Sequence, residues 1–84
     1  MMTSTYRKLF ASSAKSLLDG NSTMNIVGEG KRVDAFRTVY DLTHKLYETL
    51  FSDDATLAEI RQIVADKKVA ENDFVHQTGV EWIL

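Results

Sequence analysis

The stretch from residue 32 to residue 52 constrains the fold more than any other part of the chain. On a helical wheel at about 100° per residue, its apolar side chains fill one half and its polar side chains the other. The apolar positions are Val33, Phe36, Val39, Tyr40, Leu42, Leu46, Tyr47, Leu50 and Phe51. An apolar arc of about 180° is wider than the roughly 100° stripe of a surface helix. The pattern predicts a central helix with two neighbours, or with one neighbour and a partner chain.

Two further segments have the spacing of amphipathic helices. Residues 4–18 bury one face and are expected to stop before Gly20, because glycine readily takes the left-handed position that ends helices. Residues 56–70 form the other, and Thr56 stands three residues before Glu59, which is the capping-box spacing. Both segments are predicted to pack on the central helix.

The last part of the chain, residues 71–84, is less regular. We expect a break near Asn72-Asp73, because either residue can cap the start of a new helix. The alternative is a strand at Val80–Leu84 that pairs with Met24–Val27. The sequence therefore leaves open whether the final segment is helix or strand.

These segments together predict a mostly α fold, a small three- to four-helix single domain over residues 1–84. A short extended segment or β-hairpin is expected at about 22–33, where Gly28 and Gly30 permit a tight turn. The chain has no proline, although average usage is about 5%, which favours uninterrupted helix. A second core would need a longer chain than 84 residues.

Composition excludes several classes of site. The chain has no cysteine, so disulfides, thiolate metal sites and a cysteine nucleophile are ruled out. Ten basic and twelve acidic residues give a net charge of −2, which argues against a broad nucleic-acid clamp. No apolar stretch has the length of a signal sequence or a membrane span, so a cytoplasmic protein is expected.

The residues that carry acid–base or metal chemistry are few and scattered. His44 and His76 each lack a second imidazole three or four residues away, so neither belongs to a helical metal-ligand pair. Asp53-Asp54 precede a helix, where carboxylates favour the helix dipole. No catalytic, cofactor-binding or metal-binding residue is assigned, and a protein that is not an enzyme is expected.

One turn has features of a site that binds anions. A larger group of basic residues could contact nucleic acid. In Gly28–Arg32, free amides before a helix and two cations would attract phosphate, but Glu29 opposes it and the phosphate-loop spacing is absent. A plain turn is favoured there. The basic residues that could contact an anion or nucleic acid are Arg7, Lys8, Lys31, Arg32 and Arg37. They converge only if the first helix lies beside the start of the second.

The apolar residues of the last segment predict a contact surface. Most aromatic residues, Phe51 among them, are expected in the core by their spacing. Trp82-Ile83-Leu84 must be buried against the chain's own core or against another chain, and tryptophan is a favoured interface anchor. The residues assigned to a partner surface are Phe74, Val75, Trp82, Ile83 and Leu84.

The leading functional hypothesis is a non-catalytic protein-binding module: a small adaptor, assembly factor or inhibitor of a larger protein, with self-association into a homodimer expected. Phages and mobile elements often encode such small chains, although this is an association and not an inference from residues. The alternatives are a small dimeric nucleic-acid-binding regulator and a nucleotide- or phosphate-binding protein that uses the Gly28–Arg32 turn.

Overall fold

The computed structural model describes residues 4–18 and 30–84, which form three helices and no strand. The helices are α1 (Ser4–Leu18), α2 (Lys31–Leu50) and α3 (Leu57–Thr78). After Gly79, residues 80–84 continue without regular secondary structure. The prediction of a mostly helical fold is confirmed, with three helices in the described residues.

Helices α2 and α3 form an antiparallel hairpin joined by a short turn. Phe36, near the start of α2, contacts Phe74, near the end of α3, with ring centroids 5.9 Å apart. At the other end of the hairpin, Thr49 of α2 and Glu59 of α3 line the same cavity. Val39 has no solvent exposure, and the buried residues of α2 lie between Ala35 and Thr43, so this part of the predicted apolar face forms the core.

Helix α1 lies against both arms of this hairpin. The Phe10 ring is 5.7 Å from that of Phe36 and 6.2 Å from that of Phe74. Leu17, at the end of α1, shares a cavity with Tyr47, near the end of α2. The two helices therefore run in the same direction, and α2 has two neighbours within the chain, which is one of the two arrangements that the sequence allowed.

Helix α3 begins where the sequence indicates but continues past the expected break. The amide of Glu59 donates to the Thr56 hydroxyl at 3.2 Å, which is the predicted cap. The predicted break at Asn72-Asp73 is wrong, because the helix is continuous to Thr78. Ala70 and Phe74 stand one turn apart and are both buried. A helix that continues keeps both side chains in the core, and that burial outweighs the capping tendency of Asn72 and Asp73.

The extended segment expected at about 22–33 is not shown. Residues 22–29 lie outside the described residues, as does Gly20, where α1 was expected to end. The remaining residues, Lys31–Val33, are the first turn of α2 rather than a strand. Val80–Leu84 is not a strand either, and Met24–Val27, its proposed partner, also lies outside the described residues.

A cluster of four rings closes the end of the bundle where α3 stops. Gly79 ends α3 in the left-handed conformation (φ 72°), and its amide donates to the Val75 carbonyl at 2.7 Å. The chain then turns back and places Trp82 against one ring from each helix. Its ring centroid lies 5.0 Å from that of Phe10, 5.0 Å from that of Phe36 and 5.4 Å from that of Phe74. We call these four residues the aromatic cluster.

The Thr56 cap gives a direct test of the α3 boundary. Thr56→Ala is expected to lower the free energy of unfolding by about 1 kcal/mol, because the Glu59 amide loses its acceptor. Urea denaturation followed by circular dichroism measures the change. Thr38→Ala is the control: the exposed Thr38 hydroxyl donates to the Asp34 carbonyl inside α2, and alanine is the better helix former. Equal losses in the two variants would show that the Thr56 hydroxyl does not act as a cap.

Candidate functional site

The titratable side chains do not converge on a reactive centre in the described residues. His44 Nε2 lies 3.5 Å from Glu48 Oε1, one turn further along α2. His76 is exposed in the last turn of α3. No group of three or more histidine, cysteine, aspartate or glutamate side chains in residues 4–18 and 30–84 could hold a metal ion. The His44–Glu48 contact is suited to a hydrogen bond within one helix.

The basic residues that the sequence singled out lie on the first halves of α1 and α2. Lys31 and Arg32 are exposed in the first turn of α2, and Arg7 and Lys8 are exposed on α1. The Phe10–Phe36 contact, described above, shows that these two halves lie side by side, as the nucleic-acid alternative requires. Arg37, however, reaches Asp34 Oδ1 at 3.5 Å, so an acidic group lies among the cations.

The residues assigned to a partner surface separate into buried and exposed members. Phe74 is fully buried and Trp82 is 8% exposed, so both belong to the chain's own core. This is one of the two environments that the sequence allowed for Trp82. Leu84 packs partly buried against the same core. Val75 and Ile83 are exposed, at 37% and 60%, and for these two a contact with a partner stays a prediction.

A different apolar surface lies where α2 meets α3. Phe51 is 86% exposed, Leu50 53% and Leu57 62%. We call these three residues the turn end. The expectation that Phe51 is a core residue is wrong, because most of its side chain is exposed, and Leu18, the last described residue of α1, is itself 84% exposed. The three described helices therefore leave the last turn of α2 uncovered.

A cavity of about 210 Å³ lies beside Phe51, between the ends of α1 and α2. Leu17 and Tyr47 form its apolar walls, and His44 and Glu48 contribute the polar atoms. The cavity is open and mainly apolar. A partner side chain could enter it and contact the exposed Phe51 ring.

Several carboxylates lie near the turn end, and one of them, Glu48, lines the same cavity as Phe51. A second cavity, of about 430 Å³, is lined by Glu48, Thr49, Ser52, Asp54, Ala55 and Glu59. The exposed acidic residues of this region are Glu48, Asp53, Asp54 and Glu59, which we call the acidic rim. Lys45 lines the neighbouring cavity further along the hairpin. The acidic rim gives the turn end an excess of negative charge.

The turn end was not found by sequence reasoning, although one signal for it was present. Helical spacing placed Leu50 and Phe51 on the core face, and the angular pattern does not report how far the neighbouring helices extend. The informative feature is that Phe51 stands directly before Ser52-Asp53-Asp54, a break in the helical pattern. An aromatic residue at the last position before a polar turn has few neighbours to cover it.

Neither of the two described stretches contains a helix with the length and apolar character needed to cross a bilayer. No family model matches the chain, and comparison with curated proteins and with solved structures gives no match to either.

Proposed function

We propose that this chain is a non-catalytic protein-binding module whose contact surface is the turn end, and that its partner presents a cationic amphipathic segment. The observation that carries the proposal is the position of Phe51, which is 86% exposed beside an apolar cavity and next to the acidic rim.

The exposed side chains of the turn end give the binding energy. Burial of one phenylalanine or leucine side chain is worth about 1.5–3 kcal/mol, and the turn end offers three such side chains. All three stand within residues 50–57, where α2 ends and α3 begins, and exposed apolar side chains gathered in one region can mark an interaction site. Phe51 is the expected anchor, because large side chains at the centre of an interface contribute most of its affinity.

The acidic rim sets the chemistry of the partner. Complementary charge at the edge of an interface speeds association and disfavours partners of the wrong sign. The rim therefore selects lysine- or arginine-containing segments over acidic ones. A helix with leucine-like residues on one face and cations on the other can contact both: its apolar face packs on the turn end, and its cations pair with the acidic rim.

The nucleic-acid alternative uses a different part of the molecule and stays a prediction. The placement of α1 beside the start of α2 supports it, because Arg7 and Lys8 then lie on the helix next to the one that carries Lys31 and Arg32. Retention on duplex DNA or RNA that falls steeply with salt would support this alternative.

Phe51→Ser is expected to abolish binding of a cationic amphipathic peptide and to leave the fold intact. A serine removes the apolar anchor, and Phe51 loses little packing because it is already exposed. The probe is a synthetic leucine/lysine helix, titrated into isotope-labelled protein and followed by amide chemical shifts. We expect shifts confined to residues 45–60 in the wild type and a loss of affinity of at least about tenfold in the variant.

Two controls make the test specific. Val69→Ser changes a side chain of α3 that is 71% exposed and lies outside the turn end. The affinity of this variant for the cationic peptide should therefore equal that of the wild type. A leucine/glutamate helix of equal hydrophobicity should bind far more weakly, because the acidic rim repels it. Equal binding of both peptides, or equal loss in both serine variants, would contradict the proposal. Dimerisation that Phe51→Ser abolishes would instead assign the turn end to a second copy of the chain.

A further inference from the structure

The cavity beside Phe51 has a polar wall as well as apolar ones. Leu17 and Tyr47 form apolar sides, and His44 and Glu48 contribute polar atoms. Its volume of about 210 Å³ is below that of the roughly 300–1,000 Å³ clefts that hold drug-sized ligands. The cavity is therefore suited to a single side chain of a partner.

The Glu48 carboxylate is available to a group that enters this cavity. Its side chain is 65% exposed, and its Oε1 atom lies 3.5 Å from His44 Nε2, so the carboxylate is held beside the imidazole. All ten lysines and arginines of the chain belong to the described residues, and none of them forms an ion pair with Glu48. The chain itself thus supplies no lysine or arginine for this carboxylate.

The lining of the cavity favours a basic side chain. The Glu48 carboxylate repels an acidic group. A purely aliphatic group would displace water from Glu48 and His44 without replacing its hydrogen bonds, which is unfavourable. Lysine and arginine avoid both costs, because the alkyl stem packs on apolar walls while the charged end reaches the carboxylate.

Two aromatic residues distinguish arginine from lysine. Tyr47 and Phe51 both line the cavity, and Phe51 is 86% exposed. The planar guanidinium of arginine stacks on aromatic rings and donates two parallel hydrogen bonds to one carboxylate. The ammonium of lysine is compact and more strongly hydrated. Aromatic rings next to a carboxylate therefore favour arginine.

We propose that this cavity is an arginine pocket: it receives one arginine side chain of the partner, which packs against the Tyr47 and Phe51 rings and pairs its guanidinium with Glu48. The inference rests on the proposed function, because the pocket adjoins the turn end. It adds that one position of the cationic partner segment is read specifically, whereas the other cations of the segment interact with the acidic rim through charge alone.

Three peptides that differ at one position test the arginine pocket. The leucine/lysine helix used for the turn end carries lysine, arginine or citrulline, the neutral analogue of arginine, at each position of its cationic face in turn. At one position, arginine should bind about fivefold tighter than lysine and about tenfold tighter than citrulline by isothermal titration calorimetry. The methyl signals of Leu17, which lines the pocket from α1, should shift more with arginine than with lysine.

Glu48→Gln and Glu59→Gln separate the arginine pocket from the acidic rim. Each variant removes one charge of the rim, but Glu59 lines the other two cavities and not the pocket. Glu48→Gln should reduce the preference for arginine over citrulline to about twofold or less. Glu59→Gln should weaken both peptides and keep the preference near tenfold, because Glu59 does not contact the guanidinium.

The arginine pocket and the proposed function fail in different ways. The pocket is refuted, and the turn end stays a binding surface, if arginine, lysine and citrulline bind equally at every position. The same holds if the two glutamine variants change the arginine preference equally. If no peptide helix binds, or if binding persists in Phe51→Ser, the turn end is refuted and the pocket with it.

Discussion

Replacement of Trp82 by alanine is expected to lower the free energy of unfolding by about 3–5 kcal/mol. Trp82 is 8% exposed and its ring meets three others, so the substitution removes a large buried side chain that contacts all three helices. A chain of 84 residues has about 4–13 kcal/mol of stability at the usual per-residue value. The variant should therefore lose between about a quarter and all of the stability that is usual for a chain of this length.

Thermal unfolding followed by far-ultraviolet circular dichroism measures this loss, because the variant has no tryptophan left to report by fluorescence. The melting temperature should fall by about 4–8 °C for each kcal/mol lost. Ile83→Ala is the matched control, since Ile83 is adjacent and 60% exposed, and its melting temperature should change little. Equal melting temperatures in the two variants would mean that Trp82 is not held in the core by the segment of residues 80–84.

Periodicity was sufficient to predict the central helix because its signal is local and repeated. The expected helix over residues 32–52 and the observed one over Lys31–Leu50 agree to within two residues at each end. Phe36, Val39 and Tyr40 are core residues in both. Each turn of α2 places an apolar side chain on the same face, so an error at one position does not change the prediction.

The end of α3 shows where local rules lose to packing. Asn72 and Asp73 are good capping residues, yet both are exposed within a continuous helix. The deciding contact is between Phe74 and rings that are distant in sequence. In addition, Lys67 and Glu71, which interrupt the apolar stripe of α3, form an ion pair at 3.2 Å along the helix. The contacts of Phe74 cannot be read from a window of a few residues, whereas the Lys67–Glu71 pair spans only one turn of the helix.

Helical spacing by itself does not predict the turn end, for a related reason. A helical wheel gives the direction of a side chain around the axis, whereas exposure also depends on where the neighbouring helices end. Leu46 and Leu50 lie on one face and one turn apart, but Leu50 is 53% exposed and Leu46 is partly buried. The difference arises because Leu50 lies in the last turn of α2, at the uncovered end of the bundle.

The two ends of the bundle therefore differ in how their apolar side chains are covered. Aromatic rings from all three helices and from residues 80–84 fill the end where α3 stops, and their side chains are buried there. At the opposite end, apolar side chains remain exposed beside carboxylates. A small domain that leaves large apolar side chains in water gives up burial energy that would stabilise it. Partner binding at the turn end would recover that energy.

Phe74→Ala is expected to destabilise the fold by about 3–5 kcal/mol, whereas Val75→Ala at the next position should cost less than about 1 kcal/mol. Phe74 is fully buried and its ring contacts Tyr6, Phe10, Phe36 and Trp82, whereas Val75 is 37% exposed. The two variants have almost the same effect on helix propensity, so the difference between them isolates the aromatic cluster.

Urea denaturation gives both free energies, and Trp82 fluorescence in the same samples reports on the cluster itself. In Phe74→Ala the indole loses one of its three neighbouring rings, so its emission should shift to longer wavelength before global unfolding. In Val75→Ala the emission should match that of the wild type. Similar losses in both variants, with no early shift in Phe74→Ala, would mean that α3 does break near Asn72-Asp73 and that Phe74 is not buried against the rings of the other two helices.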